Sequence, residues 1–468
     1  MTRHWVLHTD HSHGGIAGRV ALTGRGRPAQ CRPALRAARN AVGRAPLLIV
    51  CLLAFGAELH AESFAARYQR RATACRRQIP AVTQAAEAAA NRLLAHPEAL
   101  LNIPWEGQHG FCEEMINRAG GLAHAYPSEH RSRRRRQTPN DVVLLTVRSW
   151  TESGADVLAE LQRCRKQGWM VTLIASSAGR PATATADFMI DNGAPDGRAA
   201  HGAENALVNA TLGWMWICEY AGAMTRQGRI PAILRSVALD EAVAPNRLVQ
   251  TAEGRHTTFP VTNAVAPGSP ATLYLDRIDR LIADVQSAAR QQQIDKAASI
   301  CAARHQSRRT VWLSGVGHLI EHEMGLNMRS PWKPLRSRTW FKRRLRATTP
   351  GDLVVWIGYI GMNSRYLDYE SPLNARQLDL ITCYVPAHEA ERYTADTTVL
   401  RNAAHALAQI DQVWEMGDAE VPVPGPVPRM GPISGINAML LCRMLDEAFA
   451  RHVTPTNPVA STPHRAMR

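Results

Sequence analysis

At 468 residues the chain has room for two or three domains with cores of their own. Its 45% hydrophobic and 20% charged content is that of a globular protein and excludes a disordered or low-complexity one. The net charge of +15 gathers before Arg44, in two basic runs and near the C-terminus. With no zinc-finger spacing and no aromatic–basic RNA-binding signature, the expectation is solvated arginine-rich loops and not a nucleic-acid partner.

Residues 1–61 read as a leader. Up to Arg44 they are rich in Arg, Gly and His without a sustained period, and His4, His8, His11 and His13 lie among them. The run Pro46-Leu47-Leu48-Ile49-Val50-Cys51-Leu52-Leu53-Ala54-Phe55 behind Arg44, with Leu59-His60-Ala61 after it, resembles a secretory signal peptide cleaved after Ala61. The apolar run is too short for a comfortable membrane span. The expectation is export to a periplasmic or extracellular space with no stable span after cleavage, and a cytoplasmic protein if no signal operates. Cys75, Cys112, Cys164, Cys218, Cys301, Cys383 and Cys442 are scattered, without a CxxC pair, and read as buried thiols.

Residues 63–98 carry an apolar face at helical spacing and predict one helix. A short strand over 102–105 leads into Trp105-Glu106-Gly107-Gln108-His109-Gly110, and a helix over 113–119 stops at Gly120-Gly121. Strands are predicted at 142–147, 170–175 and 186–190, helices at 155–167 and 205–227. Residues 241–271 show little pattern and separate domain 62–240 from domain 272–452. Residues 274–305 read as one helix, and 453–468 as a disordered tail.

The second half repeats the first. Val311-Trp312-Leu313-Ser314-Gly315-Val316-Gly317-His318 is a strand, a glycine turn and the start of a helix, followed by Glu321, Glu323 and Met324. The first half has Gly107, His109, Glu113, Glu114 and Met115 in the same order. Each copy continues into a basic run, then Pro-x-Asp and an apolar strand: Pro139-Asn140-Asp141-Val142-Val143 and Pro350-Gly351-Asp352-Leu353-Val354. A long-period duplication of a βαβ domain accounts for this. A glycine turn ahead of a helix N-terminus offers N–H groups and a positive dipole end to an anion.

On these residues the chain resembles the SIS (sugar isomerase) domain family. Ser314-Gly315-Val316-Gly317-His318 is similar to the family's first strand and phosphate-side loop. Glu113 to Gly121, ending Arg118-Ala119-Gly120-Gly121, resembles the helix and turn after it. Thr151-Glu152-Ser153-Gly154 with Ala175-Ser176-Ser177 resembles the second loop, its helix and the next strand, and Asp191-Asn192-Gly193-Ala194-Pro195 precedes a long helix as in phosphosugar-binding members. The usual Ser-x-Ser-Gly-x-Thr signature is not intact at 148–155, and Gly358-Tyr359-Ile360-Gly361-Met362-Asn363-Ser364-Arg365 stands in its place in the second half.

The resemblance implies two tandem doubly wound three-layer α/β/α domains with parallel sheets, and a ligand site at the strand carboxyl ends. The ligand expected is a sugar or sugar phosphate, with no cofactor and no resident metal. A homodimer is allowed, although a tandem chain supplies two packed units by itself. Aldose–ketose isomerisation needs a group that moves a proton between adjacent carbons, which suits Glu and His. The candidates are His318, Glu321, Glu323, His109 and Glu113, against a plain role as helix-start groups. The candidate ligand-holding residues are Ser314, Gly315, Gly317, Gly107, Gln108, Ser149, Thr151, Ser153, Asn363, Ser364 and Arg365. A non-catalytic binding module needs the loops alone. A further alternative is a zinc hydrolase, since His318-x-x-Glu321-His322 has the H-x-x-E-H form.

Overall fold

The protein is described here by a computed structural model covering residues 62–453. Segments 128–136, 196–200, 237–241, 252, 316–317, 326–327, 336–343, 359–362, 365–366, 369, 385–404, 413–417 and 427–428 lie outside the description, and of 363–371 only backbone is described.

The first half opens with helices α1 (Phe64–Cys75) and α2 (Ile79–Ala95). The single helix expected over 63–98 is thus two, because a 3-10 turn at Arg76–Gln78 intervenes and Pro80 restarts the helix at its first turn. Then come β1 (Leu101–Asn102), α3 (His109–Met115), β2 (Ala125–Tyr126), β3 (Val142–Thr146), α4 (Trp150–Gln167), β4 (Met170–Ala175), β5 (Phe188–Asp191) and α5 (Gly202–Arg226). Helix α3 begins earlier than the predicted 113 and ends before 119, where Asn117 takes a left-handed φ of 50°.

The second half repeats this order with α6 (Ser269–Val285), α7 (Ala288–Gln306), β6 (Val311–Gly315), α8 (His318–Glu323), β7 (Lys333–Pro334), β8 (Leu353–Ile357), a short helix at Glu370–Asn374 in the place of α4, β9 (Asp379–Tyr384), β10 (Ala408–Asp411) and α9 (Ser434–Val453). The helix expected over 274–305 is also split: Ser287 accepts a hydrogen bond from the Arg290 N–H at 3.3 Å and caps a new helix. In the segment between the halves, Thr258–Pro260 pairs antiparallel with Arg229–Pro231.

Each half forms a five-stranded parallel sheet, in the orders β2-β1-β3-β4-β5 and β10-β9-β8-β6-β7. With β6 matched to β1, β7 to β2 and so on, the two orders are the same, which is the duplicated doubly wound α/β arrangement expected. Side chains alternate across each sheet. Val142 and Leu144 of β3, and Leu353, Val355 and Ile357 of β8, point into one core that also holds Phe64 and Phe449. Val143 and Leu145 pack instead beside Val157 and Leu161 of α4, and Val354 and Trp356 beside Trp312 and Leu373. Both faces are covered, so the strands read as continuous apolar runs.

Helix α5 is buried from Gly202 to Thr225, and packs on α2 and α6; α9 packs on α7. The chain from Glu62 on forms one compact unit in which the halves share the central core. The seven cysteines from Cys75 to Cys442 are buried and unbridged. Among the described residues no helix is long and apolar enough to cross a membrane.

Candidate functional site

In a sheet of this order the chain leaves β1 and β3 toward opposite sides, and the general rule for such sheets places a ligand crevice past their carboxyl ends. Two loops form its walls. In the first, Gly107 has φ 81°, and a Cβ there would lie 1.9 Å from the Thr146 carbonyl oxygen, so only glycine fits. Gln108 follows in extended conformation ahead of α3 and is buried; its side-chain oxygen accepts from the Asn209 amide at 2.8 Å.

In the second loop Ser149 stands at the start of α4, buried, its hydroxyl 2.8 Å from that of Thr151. The Ser153 hydroxyl donates to the Ser149 carbonyl at 3.1 Å. Behind the loops lies a row of amides. Asn209 donates to the Val147 carbonyl, Asn192 to Asn209, and Asn205 to the Arg148 carbonyl at 2.7 Å, while Arg71 donates to Asn205 at 2.6 Å. These groups satisfy carbonyls that the strand ends leave open and fix the loops' shape.

The second half meets this crevice through α8, which packs on α3. The His109 ring lies between Trp105, edge-on at 4.0 Å, and His322, stacked at 4.3 Å. The residue is exposed, but the neighbouring rings partly desolvate its imidazole and hold it below the usual pKa. Glu113, one turn along α3, is half-buried and its carboxyl is pushed up for the same reason. Among the described residues, ligand atoms of His109, Glu113 and His322 lie within 4.8 Å of one another.

Glu323 is only 1% exposed. Its carboxylate accepts from the Gly110 N–H at 3.1 Å and pairs with Arg148 at 3.1 Å. Burial pushes its pKa up, and Arg148 opposes that. Arg148 also pairs with Glu152 at 2.9 Å. In the mirror position Glu114 accepts from the Leu319 N–H and from the Trp214 ring N–H, each at 3.2 Å, and pairs with Arg118 at 3.2 Å. Burial raises the Glu114 carboxyl to about 7. Arg118 reaches on to Asp418 at 3.0 Å.

A cavity of about 120 Å³ adjoins this network, lined among others by Arg67, His201, Glu204, Arg329, Arg443 and Asp446. Arg67 pairs with Glu204 at 2.6 Å, and Asp446 accepts from the Arg329 and Ser330 N–H groups at 2.9 Å. Arg443 is buried, donates to the Glu323 carbonyl at 3.4 Å, and its Nε finds no partner among the described residues. No local pattern announces these residues, because α1, α5, α9 and the segment between α8 and β7 bring them together from distant parts of the chain. A larger cavity of about 350 Å³, with His305, Arg308, Arg309, Trp332 and Lys333, lies at the amino ends of β6 and β7, away from the strand carboxyl ends.

The predicted site residues therefore divide. Gly107, Gln108, His109, Glu113, Ser149, Thr151 and Ser153 flank the first crevice, and Glu323 reaches it from the other half. Glu323 is enclosed in ion pairs and backbone hydrogen bonds, not presented to a ligand. In the second half Ser314 is buried and donates to the Leu335 carbonyl at 3.1 Å, and Gly315 packs under Ile320. His318 and Glu321 are half-buried on α8. Asn363 and Ser364 pair with Leu367–Asp368 in a short antiparallel ribbon. Gly317 and Arg365 lie outside the described residues. His322 joins a candidate ligand set with His109 and Glu113, and His318 is not in that set, so the metal grouping is not that of the H-x-x-E-H reading.

No family model and no curated protein sequence matches the chain. Solved structures do. The C-terminal domain of glucosamine-fructose-6-phosphate aminotransferase from Francisella tularensis is similar at 12% identity over 80% of this chain and 94% of that one, with a TM-score of 0.43. Tagatose-6-phosphate ketose/aldose isomerase from Escherichia coli is similar at 10% identity over 84% of this chain and 94% of that one, with a TM-score of 0.44.

Proposed function

We propose that the chain is a SIS-type binding protein for a sugar or sugar phosphate, held between the loops after β1 and β3 and in the adjoining cavity. The observation that carries this reading is the cavity itself, where Arg67, Arg329, Arg443 and His201 face Glu204 and Asp446. Guanidinium groups suit a phosphate, and alternating donors and carboxylates suit a polyol. Arg443 lines the cavity with its buried guanidinium. Ser149, Thr151 and Ser153 add hydroxyls at the start of α4, where the helix dipole favours negative charge.

Binding without turnover is favoured because Glu114 and Glu323 already hold backbone and arginine partners. An isomerase is the second reading. Burial pushes the Glu113 carboxyl up toward the neutral range in which proton transfer works well, and the His109 imidazole stands one turn away on the same helix. Export is proposed too, on the run from Pro46 to Phe55; N-terminal sequencing of secreted protein beginning at Glu62 would support it, and an intact leader on all cellular protein would oppose it.

A thermal-shift panel of sugars and sugar phosphates on the full chain tests the binding reading. A ligand at a hundred times its Kd adds about 2.7 kcal/mol of stability and visibly raises Tm. No shift with any member would contradict it. A coupled aldose–ketose assay separates the two readings: turnover abolished by Glu113→Gln supports the isomerase.

A further inference from the structure

We propose that His109, Glu113 and His322 form a site for a divalent transition-metal ion of the zinc class, held between the two halves of the chain. The inference does not depend on what the sugar-type crevice binds. Helix α3 presents His109 and Glu113 one turn apart, hence on one face, and α8 brings His322 from the other half. Ligand atoms of the three lie within 4.8 Å of one another, near enough for side-chain reorientation to bring them onto one ion. Two imidazoles and a carboxylate suit zinc, cobalt or nickel; calcium and magnesium take oxygen shells instead.

The surroundings agree with this. His109 is exposed, and Glu113 and His322 are half-buried, so an ion can enter. The Trp105 and His109 ring centroids lie 4.0 Å apart at 73° between planes, a contact that restrains the imidazole. The His109 and His322 rings are stacked at 15° between planes. An ion shared by both lies in the plane of each ring, so binding must turn one imidazole out of the stack. Three protein ligands leave an open position for water.

The test uses the full chain with His4, His8, His11 and His13 changed to Ala, which removes competing leader histidines. After chelator treatment it is titrated with Zn2+ by calorimetry and with Co2+ by visible absorption. One saturable ion per chain is expected, with Co2+ showing the d–d bands of a low-coordinate N/O site. H109A and H322Q should each weaken Zn2+ binding at least about tenfold, the scale of a lost first- or second-sphere contact, while His318→Ala leaves it unchanged. Near-UV circular dichroism checks that each variant is folded, and E113Q provides a third ligand change if either histidine variant is not. Absence of saturable binding, or binding unmoved by H109A and H322Q, overturns the site. Loss with His318→Ala equal to that with H322Q also overturns it and assigns the ion to the H-x-x-E-H pair.

Discussion

Glu323 accepts a hydrogen bond from the backbone N–H of Gly110, 3.1 Å away and in the other half of the protein. The relationship is reciprocal: Glu114 accepts from the Leu319 N–H at 3.2 Å. The same step along the chain carries Gly110 onto Leu319 and Glu114 onto Glu323. Each half therefore supplies the acid that holds the first turn of the other half's short helix, as the subunits of a symmetric pair do. Close approach is built in, since a Cβ on Gly110 would lie 2.5 Å from Glu323. These two helices are too short to be stable alone, and their positions depend on this exchange.

Removing either acid should weaken the join between the halves, unequally. Glu114→Ala leaves Arg118 buried beside Asp418 and strips the Leu319 and Trp214 N–H groups of their acceptor. It should cost about 3–5 kcal/mol. Glu323→Gln keeps an oxygen for Gly110 and leaves Arg148 with Glu152. It should cost about 1–2 kcal/mol. Urea denaturation at pH 7 ranks the two, and equal losses would contradict the assignment.

Gly107 and Gly193 both have positive φ, 81° and 62°, but only Gly107 is enclosed. Gly107→Ala must push its Cβ away from the Thr146 carbonyl and should cost about 3 kcal/mol and disturb ligand binding. At Gly193 a Cβ would meet nothing within 4 Å, so Gly193→Ala should cost about 1 kcal/mol for the backbone alone. Thermal melts of both variants decide this.

His124 sets a pH dependence. Its ring is buried, 3.0 Å from the Tyr220 hydroxyl, and burial, helped by nearby His256, pushes its pKa down to about 3. The folded state thus resists a proton that the unfolded chain accepts near pH 6.5. This contribution is present above pH 6.5 and is lost as pH falls from there toward 3. At pH 5 the loss is about 2 kcal/mol. Between pH 7 and pH 5 the urea midpoint should fall for the natural protein and fall less for His124→Gln; parallel slopes would oppose the assignment.

Much of the fold could be read from the chain because the central strands announce themselves. Val142–Thr146 and Leu353–Ile357 are buried on both faces, so sheet position and apolar run coincide. The duplication was visible in the order of glycine, histidine, acid and Pro-x-Asp landmarks. Helix breaks were not, because Ser287 and Pro80 act through local capping that an apolar stripe conceals. The candidate site was half legible. Gly107, His109 and Ser149 lie next to turns that a sequence displays. Arg67, His201 and Arg443 meet only after three helices converge, and the role of Glu323 depends on a Gly110 N–H far away in the chain.

The crevice and its arginine-lined cavity are proposed to take a sugar-type ligand. Calorimetric titration of the full chain with a hexose phosphate, beside the Arg443→Met variant, addresses this most directly. Saturable binding is predicted, weakened about tenfold or more in the variant, the scale of a lost charged hydrogen bond. No binding to the natural chain, or equal affinity in both proteins, would contradict it.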